Sequence, residues 1–165
     1  MSKAFTREDD GVGDVRLDDL PQSPNPNLVT PSGLAALKNK LNARKTDLLE
    51  LRAEREGFDN RHAIALAQRD IRFLQGRIDR AILIRPEEQP PTVVAFGAEV
   101  EVIDEDATCH TYRIVGEDEA DPAHGLIAPY SPLAIALIGS EVGDKVEWRK
   151  PASTVELVVK AIRYS

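Results

Sequence analysis

The chain has 165 residues, of which 42% are hydrophobic and 5% aromatic, enough for one medium domain or two small ones with a buried core. Its net charge of −7 argues against a protein that binds nucleic acid over its whole surface. The single cysteine, Cys109, excludes an internal disulfide framework and indicates a reducing compartment. No apolar run approaches the roughly 20 residues that span a bilayer, and the N-terminus lacks the apolar region of a signal peptide. We therefore expect a cytoplasmic protein that does not contact the membrane.

Charge is distributed unevenly along the chain. Residues 1–30 carry three basic and six acidic side chains, residues 31–85 carry twelve and seven, and residues 86–165 carry six and fifteen. The middle segment therefore has a net charge of +5 and the last segment one of −9. This contrast indicates two modules with different partners.

Residues 1–29 are predicted to form an irregular tail that is acidic and rich in proline. They contain three prolines, two glycines, six acidic residues and few apolar ones. Such a segment buries too little surface to offset the entropy lost on ordering.

Residues 30–85 are predicted to form an antiparallel coiled-coil hairpin. Thr30-Pro31 matches a helix N-cap followed by proline at the first helical position. On both sides of a break at residues 57–60, apolar residues recur every three or four positions, with Arg44 at one seam position. The seam residues are Leu34, Leu37, Leu41, Leu48 and Leu51 in the first helix, and Ile64, Ala67, Ile71, Leu74, Ile78 and Ala81 in the second. Arg85-Pro86 is predicted to end the second helix, and residues 86–91 form a proline-rich linker.

Residues 92–165 are predicted to form an antiparallel β-sheet domain, because the apolar period changes to two. The predicted strands contain Val93-Val94, Val100-Val102, Tyr112-Ile114, Val146-Trp148 and the run from Val155 to Ile162. An exposed loop is expected at Asp118, Glu119, Asp121 and Pro122. Ser131-Pro132 repeats the cap pattern and starts a short, largely buried helix over residues 132–138, which Gly139 ends. The fold class is α+β.

The sequence contains no motif of an autonomous enzyme. A P-loop and the GxGxxG, GxSxG and HExxH patterns are absent, and the three histidines lie in different segments without metal-ligand spacing. Cys109 and His110 are neighbours on a predicted strand, so their side chains point to opposite faces and do not form a nucleophile–base pair. We therefore expect neither catalysis by the chain itself nor a bound cofactor.

Residues 96–164 resemble the C-terminal domain of the Gre transcript-cleavage factors (GreA and GreB). The shared segments, in unbroken order, are Phe96-Gly97-Ala98, YRIVG at 112–116, EAD at 119–121, Ser131-Pro132-Leu133-Ala134, Val142-Gly143-Asp144, Pro151 and Ile162-Arg163-Tyr164. The resemblance implies an FKBP-like sheet wrapped on a helix. It also implies a monomeric regulator of transcription elongation that binds bacterial RNA polymerase at the rim of the secondary channel and inserts its hairpin. A prolyl isomerase is disfavoured, because the aromatic residues for an apolar pocket are spread along the chain.

The resemblance also implies roles for individual residues. The loop that opens the short helix in Gre factors docks on the polymerase, and it corresponds here to Tyr130, Ser131 and Pro132. Acidic residues at the hairpin tip of Gre factors help to hold a catalytic Mg²⁺ of the polymerase, and carboxylates are the hard ligands that Mg²⁺ prefers. The tip acids here are Glu54, Glu56 and Asp59. The basic residues towards the tip, which face the nascent RNA or the channel, are Arg52, Arg55, Arg61, Arg69 and Arg72.

The tip departs from the family pattern, in which a D-L-x-E-N-x-E-Y type segment is usual. Only Asp59-Asn60 resembles its E-N step, and the hairpin is shorter by roughly a dozen residues, which removes about 10 Å of reach. Two functions therefore remain open. The chain either stimulates transcript cleavage in backtracked complexes, or occupies the channel without cleavage, as an inhibitor or as a protein like the nucleoside diphosphate kinase regulators. The plain alternatives are that the acids lie on an exposed turn without a metal and that Ser131-Pro132 is only a helix cap.

Overall fold

The structure is a computed structural model that describes residues 15–54 and 57–165. Two long helices form the hairpin, α1 over Pro31–Ala53 and α2 over Phe58–Asp79. They are about 34 and 33 Å long at 1.5 Å per residue. The Thr30 hydroxyl accepts a hydrogen bond from the Gly33 N–H at 3.0 Å, which confirms the predicted N-cap. None of the helices described is long and apolar enough to cross a bilayer.

The second helix ends six residues earlier than predicted, at Asp79 instead of Arg85. The next residues form strand β2 over Ala81–Leu83, which pairs in parallel with strand β1 over Asn27–Val29. Ala81 is therefore part of a strand and not of the helical seam. The prediction of an irregular tail is likewise wrong for residues 27–29. That prediction is based on the average composition of residues 1–29, which is low in apolar residues, whereas Val29 at the end of this segment is almost fully buried.

A five-stranded sheet follows, with strand order β5-β4-β3-β7-β6. Its strands are β3 over Glu99–Ile103, β4 over Cys109–Ile114, β5 over Leu126–Ile127, β6 over Lys145–Arg149 and β7 over Thr154–Arg163. All neighbours are antiparallel except the short β5, which pairs in parallel with β4. The predicted α+β architecture is confirmed, with one parallel edge pair that the sequence pattern did not indicate.

The β-domain core lies between this sheet and helix α3 over Pro132–Leu137. The buried residues include Val100 and Val102 of β3, and Leu133 and Leu137 of α3. The predicted strand at Val93-Val94 is not formed, and only a single bridge joins Val93 to Glu141. The segment is held instead by a side chain, because the Tyr164 hydroxyl donates to the Val93 carbonyl at 2.6 Å and accepts from the Ala95 N–H at 2.9 Å.

The predicted exposed loop after β4 is exposed at Pro122 but not at its acidic residues. Glu117, Asp118, Glu119 and Asp121 are half-buried. The first three lie against the base of the hairpin, where they contact side chains from both helices and from the segment before β1. Acidic side chains become buried only where basic or hydroxyl groups pair with them, and here the base of the hairpin supplies both kinds of partner.

Candidate functional site

The predicted docking loop is rigidly held by its own hydrogen bonds. The Ser131 hydroxyl accepts from the Ala134 N–H at 3.3 Å and donates to the Ala128 carbonyl at 2.7 Å. Pro132 occupies the first helical position and is exposed. The predicted cap is therefore confirmed, and it presents the proline ring to solvent at a fixed angle.

Tyr130 connects the docking loop to the segment before β1. Its hydroxyl donates to the Pro26 carbonyl at 2.8 Å. Burial, and secondarily the negative charge of Glu117, raise the pKa of Tyr130 above its ordinary value. The tyrosine therefore remains a neutral donor at neutral pH, and its ring is fixed beside Ser131 by a bond between residues far apart in sequence.

Apolar side chains extend the docking loop into a patch that the sequence pattern did not reveal. Ile135 is 63% exposed and Ile138 is 43% exposed, although Ile138 is one of the residues predicted to bury α3. Both follow Pro132 at intervals of three, whereas Leu133 and Leu137 face the core. We refer to Pro132, Ile135 and Ile138 as the docking patch. Apolar residues repeated at intervals of three from Pro132 to Ile138, the C-cap residue of α3, were the signal available in the sequence.

The hairpin tip lies at the ends of α1 and α2 that are distant from the base. Glu54 is the C-cap residue of α1 and Asp59 lies in the first turn of α2, where the helix dipole favours a carboxylate. Both residues are exposed. The Asn60 amide closes the tip by donating to the Leu51 carbonyl at 2.9 Å. Arg55 and Glu56, which the sequence places in the same tip, lie outside the described residues.

The predicted channel-facing arginines fall into two groups. Arg52 and Arg61 are exposed near the tip. Arg69 instead bonds to Asp70 at 3.0 Å, and Arg72 bonds to the Leu17 carbonyl at 2.9 Å and to Asp19. The second group therefore has acidic or carbonyl partners within the chain, and its charge is partly neutralised before any ligand binds. Within residues 15–54 and 57–165 no three acidic, histidine or cysteine side chains are arranged to hold a metal ion.

Sequence comparison relates the chain to transcription elongation factors. The family model described as "Transcription elongation factor, GreA/GreB, C-term" matches residues 89–164. The GreA factor of Methylobacterium sp. (strain 4-46) is 36% identical over 151 residues, a match that covers 82% of this chain and 96% of that protein. The chain belongs to the GreA/GreB family.

Other members of the GreA/GreB family match to different extents. The GreB factor of Neisseria meningitidis serogroup B is 31% identical over 153 residues, covering 84% of this chain and 94% of that protein. The GreA factor of Alkalilimnicola ehrlichii is 42% identical over 97 residues, so the chain spans only 61% of that relative's length. Among solved structures, a GreA/GreB factor of Nitrosomonas europaea is 23% identical, with a TM-score of 0.42 over 84% of this chain and 99% of that chain.

The region matched by the GreA/GreB model contains the whole docking patch, whereas the hairpin tip lies outside it. The family assignment therefore bears most directly on the β-domain.

Proposed function

We propose that the chain is a transcription elongation regulator that binds bacterial RNA polymerase at the secondary channel. The observation that carries this proposal is the exposed docking patch, which lies beside the capped Ser131-Pro132 motif of a Gre-type domain. Apolar side chains grouped at the surface of a monomeric protein commonly mark a protein-binding site. In this proposal Tyr130, Ser131 and Pro132 dock at the rim of the channel, and Ile135 and Ile138 extend the contact.

The hairpin enters the channel in this proposal, with its tip towards the polymerase active site. The exposed carboxylates of Glu54 and Asp59, together with Glu56, are suited to assist the Mg²⁺ that the polymerase holds, because Mg²⁺ prefers oxygen ligands. The chain is then not an enzyme itself, binds no cofactor of its own, and stimulates the cleavage of backtracked RNA by the polymerase.

A second candidate function is occupation of the channel without cleavage. It is favoured by Arg52 and Arg61, which are exposed beside the tip acids and offset their charge. The same two side chains, with Arg55, are suited to contact nascent RNA through its phosphates, whereas Arg69 requires release from Asp70 first. In both versions the factor acts as a cytoplasmic monomer.

The test is a transcript-cleavage assay on backtracked elongation complexes, with the protein at saturating concentration beside a buffer control. Cleavage that is lost in Asp59→Ala and Glu54→Ala, but retained in the matched surface variant Glu87→Ala, supports a cleavage factor. No cleavage, together with protection from an authentic cleavage factor, supports channel occupation. If the protein neither cleaves nor protects, both candidate functions are wrong, and a direct measurement of affinity for the polymerase decides whether it binds.

A further inference from the structure

Arg77 is a buried charge at the base of the hairpin. It lies in the last turn of α2, and only 2% of the residue is exposed. Removing a guanidinium from water costs free energy, so its burial requires partners that pair with its charge and its N–H groups. Those partners come from two other segments of the chain.

The β-domain supplies the carboxylates. The Arg77 guanidinium donates from Nε to Asp118 Oδ2 at 2.8 Å, and its Nη2 lies 2.8 Å from the same oxygen and 3.6 Å from Glu117 Oε2. Glu117 in turn accepts from the Ser23 hydroxyl at 3.1 Å and from the Asn25 amide at 3.0 Å. One acidic pair of the β-domain therefore holds both α2 and the segment before β1.

Asn27 completes the partners of Arg77. Its Oδ1 accepts from Arg77 Nη2, and its Nδ2 donates to the Arg77 carbonyl at 2.7 Å. Asn27 is itself 4% exposed. Since both side-chain atoms of Asn27 and the donors facing it are paired, the buried cluster is satisfied and has one preferred arrangement.

The same acidic loop holds the other helix through Glu119. Its Oε1 accepts from the Thr30 hydroxyl at 2.6 Å and from the Ser32 hydroxyl at 3.2 Å. A Cβ atom on Gly33 would overlap the Glu119 carboxylate, so the Glu119 side chain packs directly onto the first turn of α1. Successive residues of one loop are therefore attached to α1 and to α2, which restricts rotation of the hairpin about either attachment alone.

We propose that Arg77 is a positioning residue that fixes the angle between the hairpin and the docking patch. The proposal rests on the function proposed above, because only a protein that docks with one end and inserts the other needs a fixed angle. The hairpin is a lever of about 33 Å, so a tilt of 10° at its base moves the tip by about 6 Å. A displacement of that size takes the tip acids out of reach of a metal ion and removes the advantage of two linked contacts.

The first measurement is a distance in the free protein, by pulsed electron resonance between two spin labels. One label is attached to the native Cys109, which is exposed at the start of β4, and the other to Leu49→Cys, because Leu49 is 68% exposed on α1. Leu49 is about 27 Å from the start of α1, so a 10° tilt moves it by about 5 Å. The wild-type background should give one narrow distance distribution.

Arg77→Met and Asp118→Asn should each broaden or shift that distribution by several ångströms. The matched control is Arg80→Met, three residues further along, where the side chain is exposed. A merely structural role for Arg77 would lower stability but leave the distance in the folded protein unchanged. Circular dichroism identifies variants that fail to fold, and if Arg77→Met is one of them, the isosteric Asp118→Asn decides. Folded variants with the wild-type distribution overturn the proposal.

The second measurement is the affinity of the same variants for RNA polymerase. Arg77→Met should retain binding that depends on Pro132 but bind roughly tenfold or more weakly, because the hairpin contact is no longer preorganised. Wild-type affinity in Arg77→Met overturns the proposal. If the unaltered protein itself does not bind the polymerase, the proposed function fails, and the distance measurement shows separately whether Arg77 fixes the angle.

Discussion

Truncation of Ile135 should weaken polymerase binding and leave the fold almost unchanged. Ile135 is 63% exposed, so folding buries only about one third of its surface. Complete burial of an isoleucine contributes about 1.5–3 kcal/mol, and about two thirds of that, roughly 1–2 kcal/mol, is left to be gained on docking. Because 1.4 kcal/mol corresponds to a tenfold change in Kd, Ile135→Ala should raise the Kd about 5- to 30-fold.

The assay is a titration of the protein, labelled at its N-terminus, with RNA polymerase core enzyme, followed by fluorescence anisotropy. Ile82→Ala is the matched control, since Ile82 is 47% exposed on β2 at the base of the hairpin and outside the docking patch. Urea unfolding should place Ile135→Ala within about 1 kcal/mol of wild type, because only about one third of the side chain is buried on folding. An unchanged Kd for Ile135→Ala, or an equal loss in Ile82→Ala, would refute the assignment of the patch.

Three further outcomes follow from local contacts. Ser131→Ala removes the cap on Ala134 and should cost about 1 kcal/mol, which lowers the Tm by about 2–4 °C in calorimetry; an unchanged Tm would contradict the cap. Gly33→Ala gains about 1 kcal/mol of helix propensity. The added Cβ nevertheless overlaps the Glu119 carboxylate and displaces it from the Thr30 and Ser32 hydroxyls, so urea unfolding should show a net loss of about 1–3 kcal/mol, and a more stable variant would be inconsistent with these contacts. The hydrogen bond from Arg113 lowers the pKa of Glu99 below its ordinary value of 4.5. The stability that the Glu99 carboxylate contributes is therefore lost as the pH falls through its folded-state pKa. Glu99→Gln should reduce the pH dependence of the urea midpoint between about pH 5 and pH 3, and an unchanged pH dependence would contradict this assignment.

Features that depend on neighbouring residues could be predicted from the sequence. Thr30 and Ser131 each accept from the N–H three residues later, so both helix starts follow from a few consecutive residues. The alternation of apolar residues likewise predicted strands β3, β4, β6 and β7, because the period depends only on which face of the sheet is buried.

Features that depend on distant partners could not be predicted in the same way. The acidic loop is predicted to be exposed because its composition does not show that Arg77, 41 residues from Asp118 in sequence, pairs with it. Strand β1 needs β2 as its partner, and the early end of α2 follows from that pairing. In the candidate site, the resemblance indicated Tyr130, Ser131 and Pro132, but only the fold shows that the Tyr130 hydroxyl contacts Pro26, 104 residues away. Local propensity is overridden wherever distant residues supply hydrogen bonds to the backbone, as β2 does for β1, or pair with a charge, as Arg77 does with Asp118.

In the proposed function the hairpin lies in the secondary channel while the β-domain holds the rim. A photoreactive amino acid in place of Asp59, at the exposed start of α2, tests it most directly. On irradiation of the complex with RNA polymerase, we expect crosslinks to polymerase segments that line the secondary channel, and we expect them to be lost when Pro132→Asp disrupts the docking patch. Crosslinks elsewhere on the polymerase, or channel crosslinks that persist in Pro132→Asp, would contradict it.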